Sequence, residues 1–254
     1  MKKPGPARNG RANLRWSLVR RWSCRSGAAA FTLIELLVVI SIIALLASLT
    51  VGLSGLAARK SKEARLKGDL NRFAAAIENY KSAIGSYPRD NARGNSVLPS
   101  TNQLFYELSG TYYTDGQFQI PGRSEGVSAS AVTRFFNAPG FGNSVRRDSG
   151  EKLRFTEEFK PSQFKAIRDS GNTLVEILIA PVRGPEKFTY NGVVAPLAIR
   201  AADGTMVNPW LYDSSSPNRN NRRGFDLWTE VIIGKQIMRF SNWEKDPAVV
   251  GSVR

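Results

Sequence analysis

"GAAAFTLIELLVVISII", residues 27–43, is an apolar run broken by one carboxylate, Glu35. The apolar character continues to Leu56. Of the 26 residues from Phe31 to Leu56, 18 are Phe, Leu, Ile, Val or Ala. As an α-helix rising ~1.5 Å per residue, that stretch covers a hydrocarbon core of about 30 Å. A secretory signal core is shorter, roughly 7–15 residues, and lacks an acid. A retained membrane helix is therefore preferred over a cleavable signal cut near "SGLAA", Ser54–Ala58. A carboxylate near the start of such a helix costs about 3 kcal/mol unless it is paired or neutralised. Glu35 either sits at headgroup level, enters protonated, or meets a cation.

The charge pattern fixes a direction. Residues 1–30 hold Lys2, Lys3, Arg8, Arg11, Arg15, Arg20, Arg21 and Arg25 and no acid. The whole chain is +15, and these eight make up more than half of that excess. Positive charge before an apolar span stays on the cytoplasmic side. This predicts an N-terminus on the cytoplasmic side and everything after the span on the opposite side of the membrane. A nucleic-acid arm is the weaker account of the same charges, and no nucleic-acid partner is expected.

Composition also narrows the chemistry. The chain contains no histidine, which removes Ser-His and Cys-His nucleophile pairs, imidazole bases and His-ligated zinc. Its one cysteine, Cys24, lies among the leader arginines and has no intramolecular partner for a disulfide. No phosphate loop or nucleophile elbow is present. An acid-only mechanism stays open to the 21 Asp and Glu residues, but no spaced pair of them stands out, and the chain is read as a non-enzyme without a cofactor.

Beyond Leu56 the composition turns charged, and Leu66, Leu70, Phe73, Ile77, Tyr80 and Ile84 recur at steps of four and three. That stripe predicts an amphipathic helix packing on its own domain, and it is short for a coiled coil. The helix is expected to end by Gly85, before Tyr87-Pro88. The expected organisation is a basic leader over 1–30, a membrane helix over 31–56, its amphipathic continuation over 57–85, and a globular domain over 86–254. In that domain "NQLFYELSG" (102–110) reads as a short helix and "TRFFNAPGFGNS" (133–144) as a loop or brief helix. "TLVEILIAPV" (173–182) reads as a strand, and Asn191-Gly192 as a hairpin turn. "GFDLWTEVII" (224–233) reads as the final strand. A long helix followed by an antiparallel sheet predicts the α+β class.

The segment "AFTLIELLVVISIIALLASL" resembles the start of type IV prepilins and type II secretion pseudopilins. The resemblance implies a cut by prepilin peptidase between Ala30 and Phe31 and N-methylation of the new Phe31 terminus. Glu35 then becomes the fifth residue of the mature chain, and Thr32 takes part in the same assembly motif. Ala30 stands where the family mostly has Gly, with Gly27 three residues earlier. The Phe31 ammonium offers Glu35 its cation, in a neighbouring subunit or in its own chain. A pair costs far less than either charge alone at low dielectric, and it can set register. Where many members carry a helix-loosening proline, this chain has Gly52 and Gly55. Each weakens a helix by about 1 kcal/mol, or permits close helix packing.

The C-terminal part is similar to the major pseudopilin. Pro209-Trp210, Tyr212, Asp226-Leu227 and Asn242-Trp243 fall in the family's order. The family's calcium loop does not follow, because "IIGKQIMRFS" carries cations where acids would cluster. A hard cation needs several oxygen ligands, so that calcium site is expected to be absent. Asp213 and Asp226 are read as turn and strand residues. The middle, roughly 95–187, exceeds the small major pseudopilin, and its exposed Phe, Tyr and Arg are a possible partner surface. The implied function is a structural subunit of a type II secretion pseudopilus or type IV pilus-like filament. Its implied partners are prepilin peptidase, copies of itself, other pilin-like subunits and an inner-membrane assembly platform. A membrane-anchored binding module or enzyme, and a DNA-uptake subunit, are the alternatives.

Overall fold

Residues Leu33–Ile84 form one helix of 52 residues, α1. The structure, a computed structural model, describes residues 31–93, 96–144 and 154–253, with the side chains at 49–54 and at 96 also outside the description. The leader over 1–30, including Ala30, lies outside these residues. The chain divides into two compact units, residues 1–51 and 52–254.

In the first unit the described residues are helical from Leu33 onward, and the side chains from Phe31 to Ser48 are all exposed. Among the described residues no helix is long and apolar enough to cross a membrane. The expected span over 31–56 is not met by them. The side chains at 49–54 of that stretch lie outside the description.

In the second unit the predicted stripe faces inward. Leu66, Leu70, Phe73, Ile77 and Tyr80 are buried and Ile84 packs at the edge of the same core. Phe73 meets Trp210 edge-on at 5.5 Å and Phe159 at 5.6 Å. Full burial of each such aromatic contributes about 2–3 kcal/mol, which makes this face the adhesive of the unit. The helix stops as expected: the Gly85 N–H donates to the Lys81 carbonyl, and Gly85 takes φ 89°, a left-handed conformation that glycine adopts without strain.

The rest is α+β, built on short antiparallel sheets. A two-residue ladder joins β1 (Ala92–Arg93) to β2 (Ser96–Val97). Helix α2 (Leu104–Ser109) follows within the predicted 102–110 stretch. A three-stranded meander of β3 (Tyr112–Thr114), β4 (Gln117–Gln119) and β5 (Gly126–Ser128) comes next. Helix α3 (Ala129–Phe136) is capped by Ser128, whose hydroxyl accepts from the Ala131 N–H. A four-stranded sheet has the order β10-β11-β7-β6, with β6 at Phe164–Arg168, β7 at Leu174–Ala180, β10 at Ile199–Arg200 and β11 at Met206–Pro209. The hairpin of β8 (Lys187–Tyr190) and β9 (Val193–Pro196) turns at Asn191-Gly192, both at positive φ, as an Asn-Gly turn should.

The final sheet has the order β12-β13-β14-β15, with β12 at Leu211–Asp213, β13 at Asp226–Ile233, β14 at Gln236–Ser241 and β15 at Ala248–Ser252. The predicted last strand is therefore the second of four. Gly234, at φ 66°, and Lys235 make a two-residue turn between Ile233 and its partner Gln236, and the lysine and arginine of "GKQIMRFS" occupy turn and ladder positions. The aromatics of the middle region are mostly core: Phe105, Tyr106, Phe118, Phe136 and Phe141 are buried.

Candidate processing and assembly site

Thr32 and Glu35 are brought together by the first turn of α1, and Phe31 precedes them in the chain. Thr32 precedes the helix, and its side-chain oxygen accepts from the Glu35 N–H at 3.3 Å. Glu35 reaches back, and its Oε2 accepts from the Thr32 N–H at 2.9 Å and from the Thr32 hydroxyl at 2.7 Å. This reciprocal pair is a capping box, and it satisfies two of the donors that a helix start leaves without partners. The T-x-x-E spacing of "TLIE" signals it in the sequence, although the glutamate read first as a membrane charge. The carboxylate also lies at the positive end of the helix, where negative charge is favoured.

The serines of the segment are handled the same way. The Ser41 hydroxyl donates to the Leu37 carbonyl and the Ser48 hydroxyl to the Leu45 carbonyl, each at 2.7 Å. Back-bonded hydroxyls make a helix acceptable to an apolar phase, because each donor is already satisfied. The apolar side chains have no such cover. Phe31 is 79% exposed, Leu33 81% and Ile34 70%, and every large apolar residue from Leu36 to Leu46 is exposed. An uncovered sleeve of this kind calls for lipid or for other helices. Gly52 and Gly55 lie within α1, and a Cβ at Gly55 would meet no atom within 4 Å.

Asp213 and Asp226 are both fully buried and face each other across β12 and β13. The Tyr190 hydroxyl lies 2.8 Å from Asp213 Oδ2 and 3.0 Å from Asp226 Oδ2. The N–H groups of Ser215 and Ser216 donate to Asp213 Oδ1. Those of Asn220 and Asn221 donate to Asp226. Each of the four carboxylate oxygens thus faces a donor, so the pair ties the 214–225 loop to the sheet. Asp90 joins it by accepting from the Ser214 and Ser215 N–H groups. Burial pushes the Asp213 carboxyl up, against the Ser215 and Ser216 N–H groups and the Tyr190 hydroxyl, which favour its charged form. Among the described residues no group of three His, Cys, Asp or Glu side chains could hold a metal ion. The Asn242-Trp243 pair closes this end of the sheet. Asn242 accepts from the Leu227 N–H and donates to the Phe225 carbonyl, and Trp243 packs on Trp228 at 5.5 Å.

A third buried carboxylate belongs to the middle region. Glu107 of α2 accepts from the Tyr80 hydroxyl at 2.9 Å, the Gly142 N–H at 2.8 Å and the Asn143 N–H at 3.0 Å. It fastens α1 to α2 and to the 141–143 loop, and burial pushes its carboxyl up to about 7.

Residues 25–51 match the family described as the prokaryotic N-terminal methylation motif. The match covers Phe31, Thr32 and Glu35, and it supports a type IV pilin-like, prepilin-type protein processed by a prepilin peptidase. No curated protein matches the chain, and no solved structure matches it.

Proposed function

We propose that this chain is a structural pilin-like subunit, held in the inner membrane by the 31–56 segment and then drawn into a filament. The observation that carries this reading is the exposed apolar sleeve from Phe31 to Leu46, which lies inside the methylation motif and starts at the Thr32–Glu35 capping box. The peptidase cuts between Ala30 and Phe31 and frees an α-ammonium, which is then methylated. Glu35 Oε2 is held by Thr32, and among the described residues Oε1 has no partner. That oxygen is available to the Phe31 ammonium of a neighbouring subunit, so the pair fixes the axial step as helices pack. Thr32 positions the carboxylate by holding its other oxygen. Gly52 and Gly55 let the helix loosen during this packing. Other pilin-like subunits and an inner-membrane platform complete the machine, and the product is a type II secretion pseudopilus or a type IV pilus-like filament.

The test is co-expression with a prepilin peptidase, following the electrophoretic shift, membrane fractionation and yield of shearable filament. Wild type should shift and assemble. Glu35→Leu should shift and fractionate like wild type but fail to assemble. Assembly of Glu35→Leu at the wild-type level would remove the register role. A chain that never shifts would remove the pilin pathway.

A further inference from the structure

The second unit carries two exposed charge pairs of opposite sign, and neither pair has a partner among the described residues. Arg222 and Arg223 stand at the end of the 214–225 loop, beside an open cavity of about 670 Å³ bordered by Ala74, Ala75 and Glu78 of α1. The loop is rigidly built. The Arg219 guanidinium donates to the carbonyls of Ser216, Asn221, Arg222 and Gly224, so it is spent on holding the turn. Asp226 fixes the same turn through Asn220 and Asn221. The two arginines are therefore presented on a preorganised support, which lowers the ordering cost of binding.

Glu157 and Glu158 are the complementary pair. Both are exposed, and they sit between Phe155 and Phe159, whose rings pack into the core. The Phe159 ring lies 5.6 Å from the Arg72 guanidinium. With Phe73 turned to the core, successive helix positions 100° apart put Arg72 on one flank of α1 and Ala74 on the other. The acidic pair thus marks the Arg72 flank and the basic pair the Ala74 flank. Two different complementary patches on one unit fit a head-to-tail contact, which builds an open helical array when its rotation does not close.

We propose that the Arg222–Arg223 pair of one copy docks on the Glu157–Glu158 pair of the next copy, setting the lateral contact between the folded parts of adjacent subunits. The occupant of the cavity rim is thus a second copy of this chain. The proposal rests on the filament reading above. Exposed pairs of this kind chiefly supply specificity and register, with apolar packing supplying the adhesion.

The experiment compares full-length wild type, Arg222→Glu/Arg223→Glu, Glu157→Arg/Glu158→Arg, and the chain with all four changes, each in its native membrane. Processing at Phe31 is followed by mass and assembly by sheared-filament yield. Each double reversal should be processed normally yet lose about tenfold in yield, since like charges then meet. The fourfold variant, and co-expression of the two double variants, should recover to within about twofold. If wild type is processed and assembled while both reversals match it, or the fourfold variant stays as low as the doubles, this contact is overturned and the filament reading stands. If wild type is never processed or assembled, both fall together.

Discussion

Glu107 gives the second unit a pH dependence that can be worked out in advance. Its carboxyl is buried among Tyr80, Gly142 and Asn143, and desolvation, opposed by their hydrogen bonds and by the Arg89 charge, raises it from the ordinary 4.5 to about 7. A raised folded value means that the native state holds a proton which the unfolded chain has already released. The stabilisation is fully present below pH 4.5 and is lost as pH climbs to about 7. Each unit of difference is worth ~1.4 kcal/mol, so the loss over this window is about 3 kcal/mol. The assay is thermal and denaturant unfolding of the full-length chain in detergent between pH 4.5 and 8, with Glu107→Gln as the reference. The glutamine cannot titrate. Its amide N–H groups also oppose one of the loop N–H donors, so the variant starts ~1–3 kcal/mol less stable. The gap between the two proteins should be widest at low pH and shrink by about 3 kcal/mol on the way to pH 8. Parallel curves would show that Glu107 keeps an ordinary carboxyl in the folded chain and would refute the reasoning.

Other perturbations follow from the same contacts. Thr32→Val removes the capping oxygen that serves the Glu35 N–H, and should cost ~1 kcal/mol in the first turn of α1, seen as faster amide exchange there. Asp169→Ala should cost ~2–3 kcal/mol in a denaturant titration. Its carboxylate, 1% exposed, accepts from Arg134 and from the Gly171 and Thr173 N–H groups at the β6–β7 turn. Gly142→Ala should destabilise the unit and raise its unfolding rate, because a Cβ there collides with the Tyr80 hydroxyl. Gly192→Val should weaken the β8–β9 hairpin by ~1–2 kcal/mol, since residue 192 sits at φ 78°.

Much of this was legible from local pattern. The stripe from Leu66 to Ile84 is periodic, so its burial follows from spacing, whereas Phe159 and Trp210 as the partners of Phe73 do not. Asn191-Gly192 announces its turn because few residues tolerate both positive φ angles. The strands β14 and β15 were not anticipated. Gly234-Lys235 is an unremarkable turn in sequence, and the cations of "GKQIMRFS" mask a ladder in which Met238 and Phe240 point inward. The buried acids were illegible for a different reason. Asp90 and Glu107 are satisfied by main-chain N–H groups of distant loops, which no local motif reveals, while Asp213 and Asp226 are satisfied within their own 213–226 loop and lack only the Tyr190 hydroxyl as a sequence signal. At the N-terminus the sequence reading named Thr32 and Glu35, and what it lacked was their cooperation in one helix cap. The T-x-x-E spacing makes Glu35 a helix cap as well as a candidate partner for an ammonium.

The central claim is that Phe31 becomes a free, methylated terminus with Glu35 four residues behind it. Intact and fragment mass spectrometry of the chain from its native membrane, with and without the peptidase, tests this directly. The account predicts a peptidase-dependent chain starting at Phe31 and heavier by one methyl group on that residue's nitrogen. A chain that keeps the basic leader, or one cut near Ala57, would contradict it.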